Sequence, residues 1–548
     1  MIGLSYDLII RNGKIIDGTG NPWYRGDLAV ENGKIVEIAR PVSGEARRLI
    51  DADGLVVSPG FIDAHSHADG STLYYREMES LIMQGITTVV GGQCGSSPAP
   101  VNPDLREEME RRRARSLPPE VDPSITWTTF EDYLKLEEEQ GLGINVAHLV
   151  GHGALRVASM GYDDRAPTQE ELERMRELTA DAMESGAYGF STGLIYPPGV
   201  YARTDEIIEV AKVVAEYGGV YDTHIRGEGK TLFESLEEAI KIGEEAGIPV
   251  QISHHKAASR VVWGRSGEAL KMLEKARERG VDITVDQYPY RAGATSLATC
   301  LPPWVHDGGM ERLLERLRDP DLRERIRTDI EKGIPGWENF AGELGWENVM
   351  VSRVVSEENK VYEGKRLDEI SEMRGDPDAC TTLLDLILEE EGAVGMIIFS
   401  MDEGDVRRIM VHPLQMVGTD SGASTISGFM RRGKPHPRSY GSYPKILGRY
   451  VRDLGVLRLE EAVKKMTSLP AQRFGIIDRG LLRPGMRADI VVFDPDAIID
   501  KATYQDPHQF PEGIIHVIVN GEISVERGLY KGLLAGRTLR KMVCTRND

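Results

Sequence analysis

Between residues 56 and 418, short apolar runs recur, each closing on a polar residue, and charged amphipathic stretches fill the gaps. The runs lie at 56–62, 87–90, 145–150, 187–190, 219–221, 249–252, 283–285 and 416–418. Continuous apolar runs of this length fit parallel strands buried on both faces. The stretches 168–185 and 204–217 fit helices, the first opened by a capping box of Thr168 with Glu171. Eight strands alternating with helices predict an α/β fold, a TIM-like (β/α)8 barrel whose functional side chains gather at the C-terminal strand ends. A doubly wound sheet is the alternative. The segment near 302–405 is too long for a barrel crossover and is expected to fold as an insertion at the active-site mouth.

The two ends of the chain share a different texture. Short β-rich runs are punctuated by Asn-Gly at Asn12-Gly13, Asn32-Gly33 and Asn520-Gly521, a strong hairpin signal. The expected organisation is a small β-sandwich domain from residues 1–58 together with 480–548, and a catalytic barrel domain over 59–479. The net charge of −21 argues against a nucleic-acid partner, because phosphate binding needs a basic patch. The run Arg111-Arg112-Arg113 is interleaved with glutamates and reads as a solvated helix face. Residues 1–11 contain Asp7 and lack a basic stretch followed by an apolar one, and no run approaches the ~20 apolar residues of a membrane span. A cytoplasmic protein with no membrane partner is expected. Cys94, Cys300, Cys380 and Cys544 show no CxxC pairing, so no disulfide framework is predicted.

The polar residues at the strand ends are of one chemical kind. His65 and His67 follow the first strand, Cys94 the second, His224 the fifth, His254 the sixth and Asp420 the eighth. Imidazole, thiolate and carboxylate are the ligands that zinc favours, and their recurrence at separate strand ends outweighs the reading of each as a packing residue. His255, beside His254, faces the opposite side and is expected to be structural. His148 lies inside its strand, and His152 just beyond it is open to a role in bracing or in packing. His306, His412, His508 and His516 have no supporting pattern.

The run Pro59-Gly60-Phe61-Ile62-Asp63-Ala64-His65-Ser66-His67 resembles the first-strand signature of the amidohydrolase superfamily. Gly92-Gln93-Cys94-Gly95, Gly151-His152-Gly153-Ala154-Leu155-Arg156, Ser191-Thr192-Gly193-Leu194, Thr223-His224-Ile225-Arg226, Ser253-His254-His255-Lys256 and Gly418-Thr419-Asp420 narrow the resemblance to the N-acyl-D-amino-acid deacylases, or D-aminoacylases. The resemblance covers nearly the whole chain. It implies that Cys94, His224 and His254 hold a tight zinc ion. His65, His67 and Asp420, with Cys94 bridging, would form a weaker second metal position. Many relatives in the superfamily bridge two metals with a carboxylated lysine after strand four, and the stretch 187–193 here contains no lysine.

The implied reaction is hydrolysis of the amide of a small-molecule N-acyl-D-amino acid. A bound zinc ion lowers the pKa of water to about 7, and Asp420 would carry the proton from water to the leaving amine. Lys256 lies two residues beyond His254, Tyr288 follows strand seven, and Arg438 follows the last strand by a short loop. All three match positions that hold the substrate carboxylate in the resembled family. Where that family can carry a serine, this chain has Ala294, leaving Thr295 or Ser296 as the hydroxyls to compensate. The alternatives are a cyclic amide or imide hydrolase of the same superfamily, and a scaffold protein that has kept the barrel without catalysis.

Overall fold

Strands that are buried along their whole length have no solvent face, and the parallel strands of this chain are of that kind. The computed structural model describes residues 5–542, and Cys544 lies outside the described residues. The strands are β1 (Phe61–Asp63), β2 (Ile86–Gly91), β3 (Asn145–His148), β4 (Gly189–Gly193), β5 (Val220–His224), β6 (Val250–Ile252), β7 (Ile283–Gln287) and β8 (Gln415–Val417). Every residue in them is buried, as expected where helices cover a parallel sheet.

Neighbouring strands pair in parallel from β1 to β3 and again from β4 to β8. Hydrogen bonds join the two runs at both flanks. Ala64 N donates to Val417 O (3.2 Å), and Ser66 bridges Ser421 in parallel. On the other flank Tyr188 N donates to His148 O (2.8 Å), and Val150–Gly151 extends β3 alongside Phe190 and Ser191. Helices Gln169–Glu184, Thr204–Glu216, Leu232–Ala246 and Ser266–Glu278 connect the strands from β3 to β7. Their apolar faces (Ile207, Val210, Leu236 and Leu273 among them) pack on Tyr221 and Ile252. The capping box forms: Glu171 N donates to Thr168 Oγ1 (3.2 Å) and Thr168 N to Glu171 Oε2 (2.8 Å). No helix among the described residues is long and apolar enough to cross a membrane.

Strands from both ends of the chain share one nine-stranded sheet. Val56–Pro59 joins the two halves, antiparallel to Ile490–Phe493. Asn32-Gly33 and Asn520-Gly521 turn between paired strands, but Asn12-Gly13 does not. The strand Ser5–Ile15 runs through it with a register shift between Ile10 and Gly13. Asn12, at φ 61°, donates its N–H to Asp27 Oδ1 (2.9 Å), so the left-handed residue serves a bulge and not a hairpin.

Residues Thr538–Leu539 lie beside Val146 and Ala147 of β3 and not in the terminal sheet. Val146 N donates to Arg537 O (3.0 Å), and Lys541 N to Gly186 O (2.9 Å). This segment fills the gap where β3 and the approach to β4 diverge. The long insertion builds its own antiparallel sheet from Ala292–Ser296, Val349–Arg353 and Gly395–Phe399, backed by helices Met310–Arg318, Pro320–Lys332, Leu367–Arg374 and Ala379–Glu389. It has a core of its own, with Leu313, Leu317, Val351, Leu383 and Ile387. Its sheet therefore starts at Ala292, ahead of the expected insertion boundary.

His152 opens the helix His152–Met160 and packs inward, with Nε2 2.9 Å from Glu206 Oε1. Arg156 Nη1 donates to both Glu206 oxygens at 2.7 and 2.6 Å, and its side chain is wholly buried. Replacing Glu206 by alanine strands that guanidinium, at an expected cost of about 3–5 kcal/mol in a urea unfolding curve. A loss below about 1 kcal/mol would show that the triad carries little of the packing between these two helices.

Candidate metal centre

Each expected ligand leaves a strand end in the same direction. His65 and His67 follow β1, Cys94 follows β2, His224 ends β5, His254 follows β6 and Asp420 follows β8. Cys94, His254 and Asp420 have positive φ angles of 52°, 35° and 52°. Such a conformation costs of order 1–3 kcal/mol in a residue with a Cβ and persists only where the surroundings impose it. Two glycines permit the convergence. A Cβ on Gly193, at the end of β4, would stand 2.1 Å from Cys94 O, and one on Gly418 would stand 2.7 Å from His65 Cβ.

Cys94 Sγ lies at the middle of the histidines, 3.4 Å from His65 Nε2, 3.5 Å from His254 Nε2 and 3.8 Å from His224 Nδ1. Asp420 Oδ1 is 3.1 Å from His67 Nε2 and 3.6 Å from His65 Nε2. The ligand atoms of His65, Cys94, His254 and Asp420 all lie within 4.8 Å of one another. Those of His224, Glu228 and His254 form a second such group, so His254 belongs to both. Burial pushes the Cys94 thiol up, but His65 and His254 beside it more than offset this and hold it well below the ordinary thiol range. His224 Nε2 is buried without a hydrogen-bond partner, as is His65 Nδ1, which faces Asp286 Oδ1 at 3.5 Å. Buried imidazoles and a thiolate crowded together in this way suit a cation, and this nitrogen, sulfur and oxygen donor set fits zinc.

Two carboxylates that strand-end reasoning passes over position the ligands. Glu228, in the loop after β5, lies 3.0 Å from His254 Nδ1 and 3.7 Å from His224 Nε2, and accepts from Lys256 Nζ (2.6 Å). Burial raises the Glu228 carboxyl, and Lys256 then draws it well below the usual range. Asp286 accepts from His254 N (2.8 Å) through Oδ1 and from Gln251 Nε2 (2.9 Å) through Oδ2. A ligating imidazole needs such a partner on its other nitrogen. That need was the only available signal, since neither carboxylate stands in the ligand pattern itself.

The expected carboxylate-binding residues form one chain of contacts. Lys256 Nζ sits on Glu228 and lies 5.7 Å from the Tyr288 ring centre. The Arg438 guanidinium covers the same ring at 4.7 Å, and its Nη1 stands 2.7 Å from Asp420 Oδ2. Arg438 Nη2 donates to Ala294 O (3.2 Å), so residue 294 holds the guanidinium through its backbone and needs no hydroxyl to do so. A cavity of about 1040 Å³ reaches the centre past His67, Cys94, Asp420 and Arg438. Lys256 and Tyr288 are buried beside Arg438, which lines the cavity. Tyr196, absent from the expected set, lines the cavity with its ring edge against His224 (5.0 Å between centres). Burial pushes its phenol well above the usual value, so it keeps its proton. His255 is buried with both ring nitrogens unpartnered, and burial pulls it down to about 4, so it stays neutral and apart from the ligands.

The model of the amidohydrolase family matches residues 48–525. The D-aminoacylase of Alcaligenes xylosoxydans xylosoxydans is 38% identical over 543 residues, covering 98% of each chain. The N-acyl-D-glutamate deacylase of the same organism is 37% identical over 515 residues, covering 94% of this chain and 93% of the relative. Among solved structures, the N-acyl-D-glutamate deacylase of Bordetella bronchiseptica, complexed with zinc and a phosphonate mimic of the tetrahedral intermediate, is similar with a TM-score of 0.80. Its identity is 35%, over 98% of this chain and 100% of that one. The chain belongs to the amidohydrolase family, in its D-aminoacylase branch.

Proposed function

We propose that the protein is a zinc-dependent hydrolase that cleaves the amide of N-acyl-D-amino acids, giving a carboxylate and a free D-amino acid. The observation that carries this reading is the meeting of Cys94, His65 and His254 with Asp420, while Arg438 pairs with the same carboxylate from the cavity side. Cys94, His224 and His254 would hold the tight zinc. His65, His67 and Asp420, with Cys94 shared, would make the weaker second position. When bound, zinc supplies Lewis-acid polarisation of the amide carbonyl and lowers the pKa of water to about 7.

The protein's own groups do the rest. Asp420 takes the proton of the attacking water and returns it to the leaving nitrogen, which departs poorly as an anion. The protonated Tyr196 hydroxyl donates to the oxygen that gains charge as the carbonyl carbon becomes tetrahedral. Arg438 retains free donors for the substrate carboxylate, and Lys256 and Tyr288 bind it with Arg438. The arrangement rests on the parallel strands closing as one (β/α)8 barrel over residues 59–479, with the terminal strands up to Leu529–Tyr530 forming the small β domain and Thr538–Leu539 packed on the barrel. The hydrogen bonds at both flanks of the strand set support that closure.

Paired enantiomers test the assignment. With zinc supplied, N-acetyl-D-methionine and N-acetyl-D-phenylalanine are expected to be hydrolysed at least about 100-fold faster, in kcat/KM, than their L-forms. Failure to release amino acid from any N-acyl-D-amino acid in the panel would remove the proposal. Preference for the L-forms would leave a zinc deacylase of the opposite handedness.

A further inference from the structure

The cavity contains more positive charge than the α-carboxylate of a substrate can use. Besides Arg438, it is lined by Arg112, Arg113, Arg115, Arg353 and Arg432. Arg115 is neutralised by Glu311 (2.7 Å) and Glu391 (2.9 Å), and Arg112 lies over the Tyr162 ring at 4.4 Å. Arg113, Arg353 and Arg432 have no carboxylate within ion-pair distance among the described residues. Arg432 donates to Ser116 O (2.7 Å) and Arg113 to Pro123 O (3.0 Å), contacts that fix a guanidinium without neutralising it. All three act on one phenol, Tyr74, which burial pushes up and Arg113, Arg432 and Arg353 draw back down.

These arginines are aimed by separate parts of the fold. Arg113 comes from the helix Arg106–Ser116, after β2. Arg353 ends the inserted strand Val349–Arg353, where a bulge after Val351 shifts the register against Gly395–Phe399. Arg432 comes from the loop after β8, which is tied to that bulge by Lys434 N donating to Ser352 O (2.6 Å). Gly433, at φ 56°, allows the approach, since a Cβ there would lie 2.5 Å from Ser352 O. Burial, with Arg432 alongside, pulls the Arg353 guanidinium down to about 10. Glu363 is the carboxylate that acts on both, and it accepts from Val354 N (3.1 Å). Like charges gathered in a cavity, faced only by carboxylates beyond ion-pair distance (Glu110 and Asp122 for Arg113, Glu120 and Glu363 for Arg432, Glu363 for Arg353), disfavour one another, and an anionic ligand relieves the cost.

We propose that Arg113, Arg353 and Arg432 form a second anion subsite, selecting N-acyl-D-amino acids that bear a second carboxylate besides the one held by Arg438. This rests on the deacylase reading above. The second carboxylate has two sources, the acyl group or the amino-acid side chain, and the geometry fits the chemistry common to both.

Matched pairs on the zinc-loaded protein separate them. N-succinyl-D-methionine is compared with N-butyryl-D-methionine, and N-acetyl-D-glutamate with N-acetyl-D-glutamine. In one pair or the other the anionic member is expected to have about tenfold higher kcat/KM, mostly through KM. That pair identifies the source. Arg353→Gln and Arg432→Gln should each bring its anionic-to-neutral ratio to within about twofold of unity. Arg432 is only half-buried, so its variant keeps the test available if Arg353→Gln fails to fold. A ratio near unity in both pairs for the wild-type protein, or ratios unmoved by both variants, would overturn the subsite. No turnover of any of the compounds would instead sink the deacylase reading. The subsite would then be judged by calorimetric titration with the same compounds. About tenfold tighter binding of an anionic member, lost in Arg432→Gln, would support it, and equal affinities would overturn it.

Discussion

Asp420→Ala is expected to lower kcat by about 10³-fold or more while zinc stays bound at the Cys94 side of the centre. The size of the loss follows from the lack of a substitute. Glu228, a carboxylate beside the ligands, is committed to Lys256 and His254. Asp286 is turned toward the backbone of His254 and the side chain of Gln251. Both are held by these partners, which leaves Asp420 as the carboxylate paired with Arg438 at the cavity. Removing Asp420 also frees Arg438 Nη1 from its 2.7 Å contact, so substrate affinity should hold or improve while turnover collapses. Metal analysis beside the kinetics decides the meaning of the result. Zinc lost in step with activity would make Asp420 chiefly a ligand.

Cys94→Ala should have the largest effect on the metal itself. Its Sγ is the atom within 3.8 Å of three imidazoles, and both proposed metal positions share it. Mutating groups that merely brace a ligand costs about 10–100-fold in metal affinity, so deletion of the shared thiolate should exceed 100-fold. The protein should then emerge from dialysis without zinc and without activity. Alanine has the same Cβ as cysteine and inherits the left-handed backbone at no added strain, so the fold should survive. Cys300→Ala is the control, since that thiol lies in the core of the insertion 3.6 Å from Met396 Sδ. Retention of zinc by Cys94→Ala would remove the thiolate from the centre.

The parallel strands were legible because a doubly covered strand is mostly apolar, and the polar ligands follow where each apolar run ends. All six expected ligands come to the same end of the strand set for that reason. Other features left no comparable trace. The left-handed backbone at Cys94 belongs to a residue type that carries no such preference, and one His or Asp, as at His254 and Asp420, does not announce it as the Asn-Gly pairs at Asn32 and Asn520 do. Glu228 and Asp286 act only through imidazoles brought to them by the fold. Arg113 reads as part of a solvated basic helix turn until the insertion and the loop after β8 carry Arg353 and Arg432 to the same cavity. The strand Thr538–Leu539 is two residues long, and no periodicity is measurable over such a length.

That short strand sets a schedule for the molecule's birth. Thr538 Oγ1 donates to Glu137 Oε2 (2.7 Å) from a position 401 residues further along the chain. A polypeptide leaving the ribosome N-terminus first therefore displays β3 with a bare flank for most of its synthesis. Strand Val56–Pro59 waits longer still for Ile490–Phe493. The early product is an open, unsealed sheet, and the nascent chain is most exposed to mispairing with its neighbours just before the last strands arrive to close it.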